Sequence, residues 1–210
     1  MPRVWFDNDT LSFLHSKKLL DLVAELLKGN GCLAATIQSV YRVEAIDAVR
    51  LALDALCRRG FFEVVSDPDK RTHPDKKWRK LRAKIETAAK SRRTTSQNDR
   101  QLLFHAEYES CPLVTGDGPL KNLALDRCHG PVYDLLDAVD WLAHKGKIDG
   151  ERRKEILRSF PGHGNTVETL EQESAARSGG GRFSCAASNA SESESDEGGD
   201  ALTCRPGHDQ

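Results

Sequence analysis

Four acidic residues carry most of the chemistry that can be read from this chain. Asp7 stands in Trp5-Phe6-Asp7-Asn8-Asp9-Thr10, and Glu44 directly follows the apolar Val43. Asp99 stands in Ser96-Gln97-Asn98-Asp99-Arg100, and Asp117 in Val114-Thr115-Gly116-Asp117-Gly118. Ionised carboxylates brought together repel one another, and burial adds to the cost. Two arrangements relieve it. The acids can share a proton, or they can surround a hard divalent cation, for which Mg²⁺ or Mn²⁺ suits an all-oxygen donor set. Taken singly, each acid also has a plain structural role. Asp7 can cap a helix, Asp99 can sit at a helix N-terminus, Asp117 can serve a turn, and Glu44 can lie on a solvated helix face. Those roles give no reason for all four to meet.

Meeting requires the right elements. Val4-Trp5-Phe6 predicts a short strand, followed by a helix over about 11–28 that Gly29-Asn30-Gly31 ends. Leu33–Thr36 predicts a second strand. A long helix follows, with Val43, Ile46, Val49, Leu53 and Leu56 sharing one face as far as Arg59-Gly60. Strands are predicted at 61–65, 112–115 and 131–133, and helices at 96–109, 120–127, 134–144 and 151–160. Strands separated by helices imply an α/β sandwich around a mainly parallel sheet. Asp7 and Asp117 then both fall at carboxyl ends of strands, the edge where open α/β sheets place ligands. Asp99 shares a helix face with Leu102, Leu103 and Ala106, which turns it toward the sheet.

Charge divides the chain further. The 210 residues hold 31 Lys+Arg against 32 Asp+Glu, so the net charge is −1, yet its distribution is uneven. Residues 67–93 hold eleven basic residues against four acids. Clustered cations such as Lys76, Lys77, Arg79, Lys80, Arg82 and Lys84 could contact phosphates, with Trp78 offering a stacking face; a merely solvated helix is the plain alternative. The last 50 residues hold nine acids, three bases, Gly179-Gly180-Gly181 and only four Leu, Ile, Val or Phe. That composition predicts a disordered acidic tail over 161–210 behind a folded domain of residues 1–160.

Other chemistries find no support. Six cysteines lack any CxxC pair, which implies reduced thiols and a cytoplasmic setting, and seven histidines show no HxH or HExxH spacing. His105 reads as a packed or surface residue. Neither a P-loop nor a dinucleotide fingerprint occurs. The longest uninterrupted apolar run, Cys32–Ala35, is far below the ~20 residues of a membrane span, and the acidic start does not look like a secretory leader.

In order and context, Asp7, Glu44, Asp99 and Thr115-Gly116-Asp117, with Leu113–Leu120 and Asn122-Leu123-Ala124 after them, resemble the PIN-domain family of metal-dependent ribonucleases, including its toxin members. The likeness spans roughly residues 3–145 and implies a three-layer α/β/α sandwich. It further implies hydrolysis of RNA, Mg²⁺ or Mn²⁺ held by Asp7, Asp99 and Asp117, and Glu44 as a fourth catalytic acid that binds a second ion or orients water. Asn8 and Thr115 are candidates to hold carboxylates or water in place. Asp9 departs from the family's usual Asn or small residue and could add a ligand or alter the charge. The basic segment 67–93 is longer than many members' connection. By analogy with toxin members, an antitoxin protein is a further partner to test; a homodimer is another. A catalytically weak module binding RNA or protein is the alternative, and a DNA-directed nuclease a second.

Overall fold

The computed structural model describes residues 1–66, 76–90, 95–127, 130–160 and 166–177. Strands β1 (Arg3–Phe6), β2 (Leu33–Ile37), β3 (Phe62–Val65), β4 (Leu113–Val114) and β5 (Val132–Tyr133) form one sheet in the order β3-β2-β1-β4-β5. Every pairing is parallel, with Val4 opposite Ala34, Trp5 opposite Leu113 and Val114 opposite Tyr133. Parallel strands are covered on both faces, so their sequences need no alternation. Accordingly Val4, Trp5 and Phe6 are all buried, as are Ala34, Ala35 and Ile37. Helices supply the cover: α1 (Asn8–Ser16), α2 (Leu20–Gly29), α3 (Asp47–Arg58), α4 (Lys76–Lys90), α5 (Gln97–Tyr108), α6 (Gly118–Arg127), α7 (Leu135–His144), α8 (Gly150–Leu157) and α9 (Val167–Ala176). The α/β sandwich expected from the alternation of strands and helices is the fold.

Three expectations about the elements are corrected. The helix expected over 11–28 is two helices, broken where Lys18 adopts a φ of 58°. The long helix carrying Glu44 is likewise broken. Val40–Glu44 forms one wide turn closed by the Ala45 N–H donating to the Val40 carbonyl at 3.0 Å, and Ala45 and Ile46 are extended before α3 starts. That break resets the helical phase: Val49, Leu53 and Leu56 are buried, whereas Val43 and Ile46 are 75% and 62% exposed. The third concerns the tail. Within 161–210, α9 is ordered on α7 and α8. Its start is capped by Thr166 and Thr169, Leu170 is buried, and Arg177 donates to both Asp134 carboxylate oxygens at 2.8 and 2.9 Å. One buried leucine with a two-bond ionic anchor orders this helix, which a composition averaged over fifty residues conceals. The rest of the proposed tail, 161–165 and 178–210, lies outside the described residues.

The basic segment is only partly described. Residues 67–75 and 91–94, and the Lys77 side chain, lie outside the description. Helix α4 runs antiparallel to α5, with Glu86 beside Arg100 at 3.2 Å and the Trp78 ring 4.6 Å from that of Phe104. Lys76, Arg79, Lys80 and Lys84 are exposed, and the half-buried Arg82 lies over the Trp78 ring at 5.5 Å. Trp78 is 2% exposed. It therefore offers no stacking face to a base; its amphipathic helix turns the indole inward as a core residue. His105 is buried too, stacked on Trp5, and burial pushes its imidazole down to about 4, so it is neutral at physiological pH. Among the described residues no helix is long and apolar enough to cross a membrane.

Candidate functional site

The sheet order changes direction at β1. Chain segments after β1 build outward through β2 and β3, then return to β4 on its other side. Such a switch opens a crevice at the carboxyl ends of the two central strands, because their following connections diverge. Asp7 follows β1 directly, and Thr115-Gly116-Asp117 follows β4. The Asp7 N–H donates to the Val114 carbonyl at 3.3 Å, which ties the two strand ends together.

Asp7 is the buried floor of this crevice, 3% exposed. Its Oδ1 accepts from the Thr10 N–H at 2.8 Å and caps α1. Its Oδ2 accepts from the Thr115 hydroxyl and from the Gly116 N–H at 3.2 Å. The Thr115 hydroxyl oxygen in turn accepts from the Asp117 N–H at 3.0 Å. Thr115 thus connects two acids with one side chain. Burial pushes Asp7 up to about 6, although the hydrogen bonds from Thr10 and Thr115 hold it down.

Glu44, Asp99 and Asp117 line the same hollow of about 220 Å³, together with Asn8, Asp9 and Ser96. The wide turn before α3 presents Glu44, whose Oε1 accepts from Asn98 Nδ2 at 2.7 Å. Burial raises the Glu44 carboxyl, Asn98 opposes the rise, and the charges of Asp99 and Asp9 add to it. Asp117 is raised by burial and by the same two acids, with the Leu120 N–H holding it down. Asp99 completes a capping box with Ser96: its Oδ2 accepts from the Ser96 N–H at 2.8 Å while the Ser96 hydroxyl accepts from the Asp99 N–H at 3.0 Å.

Three helices therefore begin at this hollow, and at the start of each an acid accepts a backbone N–H. Asp7 serves α1, Asp99 serves α5, and Asp117 accepts from the first turn of α6. The cap weighed for Asp7 and the helix-start position weighed for Asp99 are both filled, and the acids converge nonetheless. Helix N-termini carry partial positive charge, worth about 0.3–1 kcal/mol each to a nearby carboxylate. This offsets part of the cost of so much like charge in one place. Among the described residues no three carboxylate, imidazole or thiolate groups already stand at metal-ligating separation. The donors facing the hollow are oxygens, the set that hard divalent cations take.

Asp9 faces Asp7, Glu44 and Asp117 through its charge, so it belongs to the acidic lining itself. Asn98 and Ser96 escaped the sequence reading. The S-x-x-D capping pattern of Ser96 to Asp99 was the available signal for Ser96, since a capped N-terminus puts those side chains at the sheet edge. Asn98 had none. The cationic face of α4 does not line the hollow: α4 runs antiparallel to α5, so Lys76, Arg79 and Lys80 lie toward the opposite end of α5 from Asp99. No protein-family model matches the chain, and no curated protein matches it.

Proposed function

We propose that the chain is a metal-dependent phosphodiester hydrolase acting on RNA, an endoribonuclease of the PIN type. One observation carries this reading: Asp7, Asp9, Glu44, Asp99 and Asp117, drawn from four separate segments, line one hollow at the carboxyl edge of a parallel sheet. Structural need alone accounts for each cap but not for a wide turn that presents Glu44 to the same place.

The residues suit Mg²⁺ or Mn²⁺, with Asp7, Asp99 and Asp117 as ligands and Glu44 and Asp9 beside them. When bound, such an ion lowers the pKa of a coordinated water and offsets charge on the leaving oxygen. The chain's own part is positioning. Thr115 and the Gly116 N–H fix the Asp7 carboxylate, Asn98 fixes Glu44, and Ser96 fixes Asp99. Without a cation, burial raises the Asp7, Glu44 and Asp117 carboxyls; a bound cation would favour their ionised forms.

RNA would be gathered by the exposed cations Lys76, Arg79, Lys80 and Lys84 of α4. That same face favours the second reading, an RNA-binding module with little catalysis. Purified protein incubated with Mn²⁺ and structured RNA or DNA separates the readings. Cutting of RNA that Asp7→Asn and Asp117→Asn each abolish supports the nuclease. Tight RNA binding without metal-dependent cutting supports the module, and preferential cutting of DNA reassigns the substrate. Toxin action would appear as growth arrest on expression that Asp117→Asn relieves.

A further inference from the structure

Next to the acidic hollow lies a second cavity of about 230 Å³, reached past the end of β4. Gly116 separates the two. A Cβ built on it would lie 3.4 Å from Leu135 Cδ1, in the second cavity, and 3.7 Å from the Asp9 Cβ, in the acidic one. Thr115 links them, lining the second cavity while donating to Asp7, which lines the first.

The second cavity has a different character. Leu135, Phe160 and Leu170 give it apolar walls, and Phe160 is braced edge-on against Phe13 with ring centroids 5.2 Å apart. Its charged groups balance. Asp134 is bonded by Lys121 and Arg177, and Arg177 also bonds Glu173. Two cations against two carboxylates leave no surplus to attract another phosphate. Leu170, Glu173 and Arg177 lie three, four and seven residues apart, so α9 presents all of them on one face.

We propose that this cavity receives the nucleobase of the RNA residue beside the scissile phosphate, which makes α9 the element that sets base preference; this rests on the nuclease reading above. A base is uncharged, apolar on its faces and polar at its edge. The cavity offers apolar faces from Leu135 and Phe160, with Lys121 as donor and Glu173 as acceptor. Its volume is below the roughly 300 Å³ at which clefts for drug-sized ligands begin, which fits one nucleoside and not a run of them. Thr115 and Gly116 line it and bond Asp7, which places it beside the acids, within reach of a neighbouring nucleotide of the same strand.

The test has two arms on the full chain. In EDTA, each of the four ribonucleoside 5′-monophosphates is titrated while NMR follows the Gly116 amide and the Leu135 and Leu170 methyls. Saturable shifts at these positions with at least one nucleotide are expected. Leu170→Trp, which fills the cavity, should abolish them, and the rim variant Glu173→Gln should change the affinity order about fivefold or more. Shifts confined to the acidic hollow, or binding indifferent to both variants, overturn the proposal. In the second arm a random-sequence RNA is cut with Mn²⁺, and the base beside the cut is read by sequencing. A preference that Glu173→Gln redistributes supports the cavity. Cutting whose preference neither variant alters refutes the cavity and leaves the nuclease standing. Absence of any metal-dependent cutting refutes the nuclease, and the titration then decides separately whether a base binds there.

Discussion

Replacing Asp7 by Asn should stabilise the metal-free protein at neutral pH. Burial lifts the Asp7 carboxyl from 3.8 to about 6, which amounts to about 3 kcal/mol for keeping it ionised inside the fold. An amide carries no such cost. It can still accept from the Thr10 N–H, and Thr115 can turn its hydroxyl to accept from the new NH₂. The Gly116 N–H, however, would face a donor in place of an acceptor, a loss of about 1 kcal/mol. The net expectation is a gain of about 2 kcal/mol at pH 7.5 in EDTA. The sign with pH follows. Because the folded carboxyl titrates above its unfolded value, its contribution to wild-type stability is fully present below pH 3.8 and is lost as pH rises through about 6. Urea unfolding at pH 7.5 and pH 4 should therefore show the variant's advantage at the higher pH only. Added Mn²⁺ at a hundredfold excess over its dissociation constant should stabilise the wild type by about 2.7 kcal/mol, which outweighs the variant's advantage and reverses the order by about 0.7 kcal/mol. A variant less stable than wild type at pH 7.5 in EDTA, or an advantage of equal size at both pH values, would refute the reasoning.

Thr115→Val removes the hydroxyl that donates to Asp7, so the Asp7 carboxyl should rise further and the acid limb of any metal-dependent activity should move to higher pH, as a pH–rate profile would show. Lys80→Ala with Lys84→Ala should weaken RNA binding and reduce the slope of log K against log salt by about 1.4 for a single strand, leaving thermal stability within about 1 kcal/mol. Trp78→Ala should instead lower stability by about 3–5 kcal/mol in denaturant titrations, since its ring is buried on Phe104. Against the burial that would raise it, bonds from Lys121, the Asp137 N–H and Arg177 hold Asp134 down at about 2. Its contribution to stability is present above about pH 4 and lost as pH falls toward 2. Arg177→Met should therefore cost about 1–3 kcal/mol at pH 7 and shift the onset of acid unfolding upward, checked by circular dichroism against pH.

Local signals in the chain were sufficient for the elements and their order. Short runs such as Val4-Trp5-Phe6 and Leu113-Val114 are buried on both faces, so their composition alone marks them as strands of a covered parallel sheet. The same signals placed Asp7 and Asp117 at strand ends and Asp99 at a helix start, because caps and turns are written within three or four residues. Folding had to decide what those signals leave open. Helical periodicity over Val43–Leu56 predicts one helix; the structure breaks it at Ala45-Ile46, and Glu44 meets Asn98 of α5, 54 residues away. Trp78 looked like an exposed aromatic among cations until its helix met Phe104. Helix α9 vanished into an acidic composition because its few ordering residues, Leu170 and Arg177, act only once they meet Asp134 and the surfaces of α7 and α8. Acids distant in sequence became neighbours for the same reason: hydrogen bonds and burial between segments are summed over the whole fold, and no short window of sequence contains that sum.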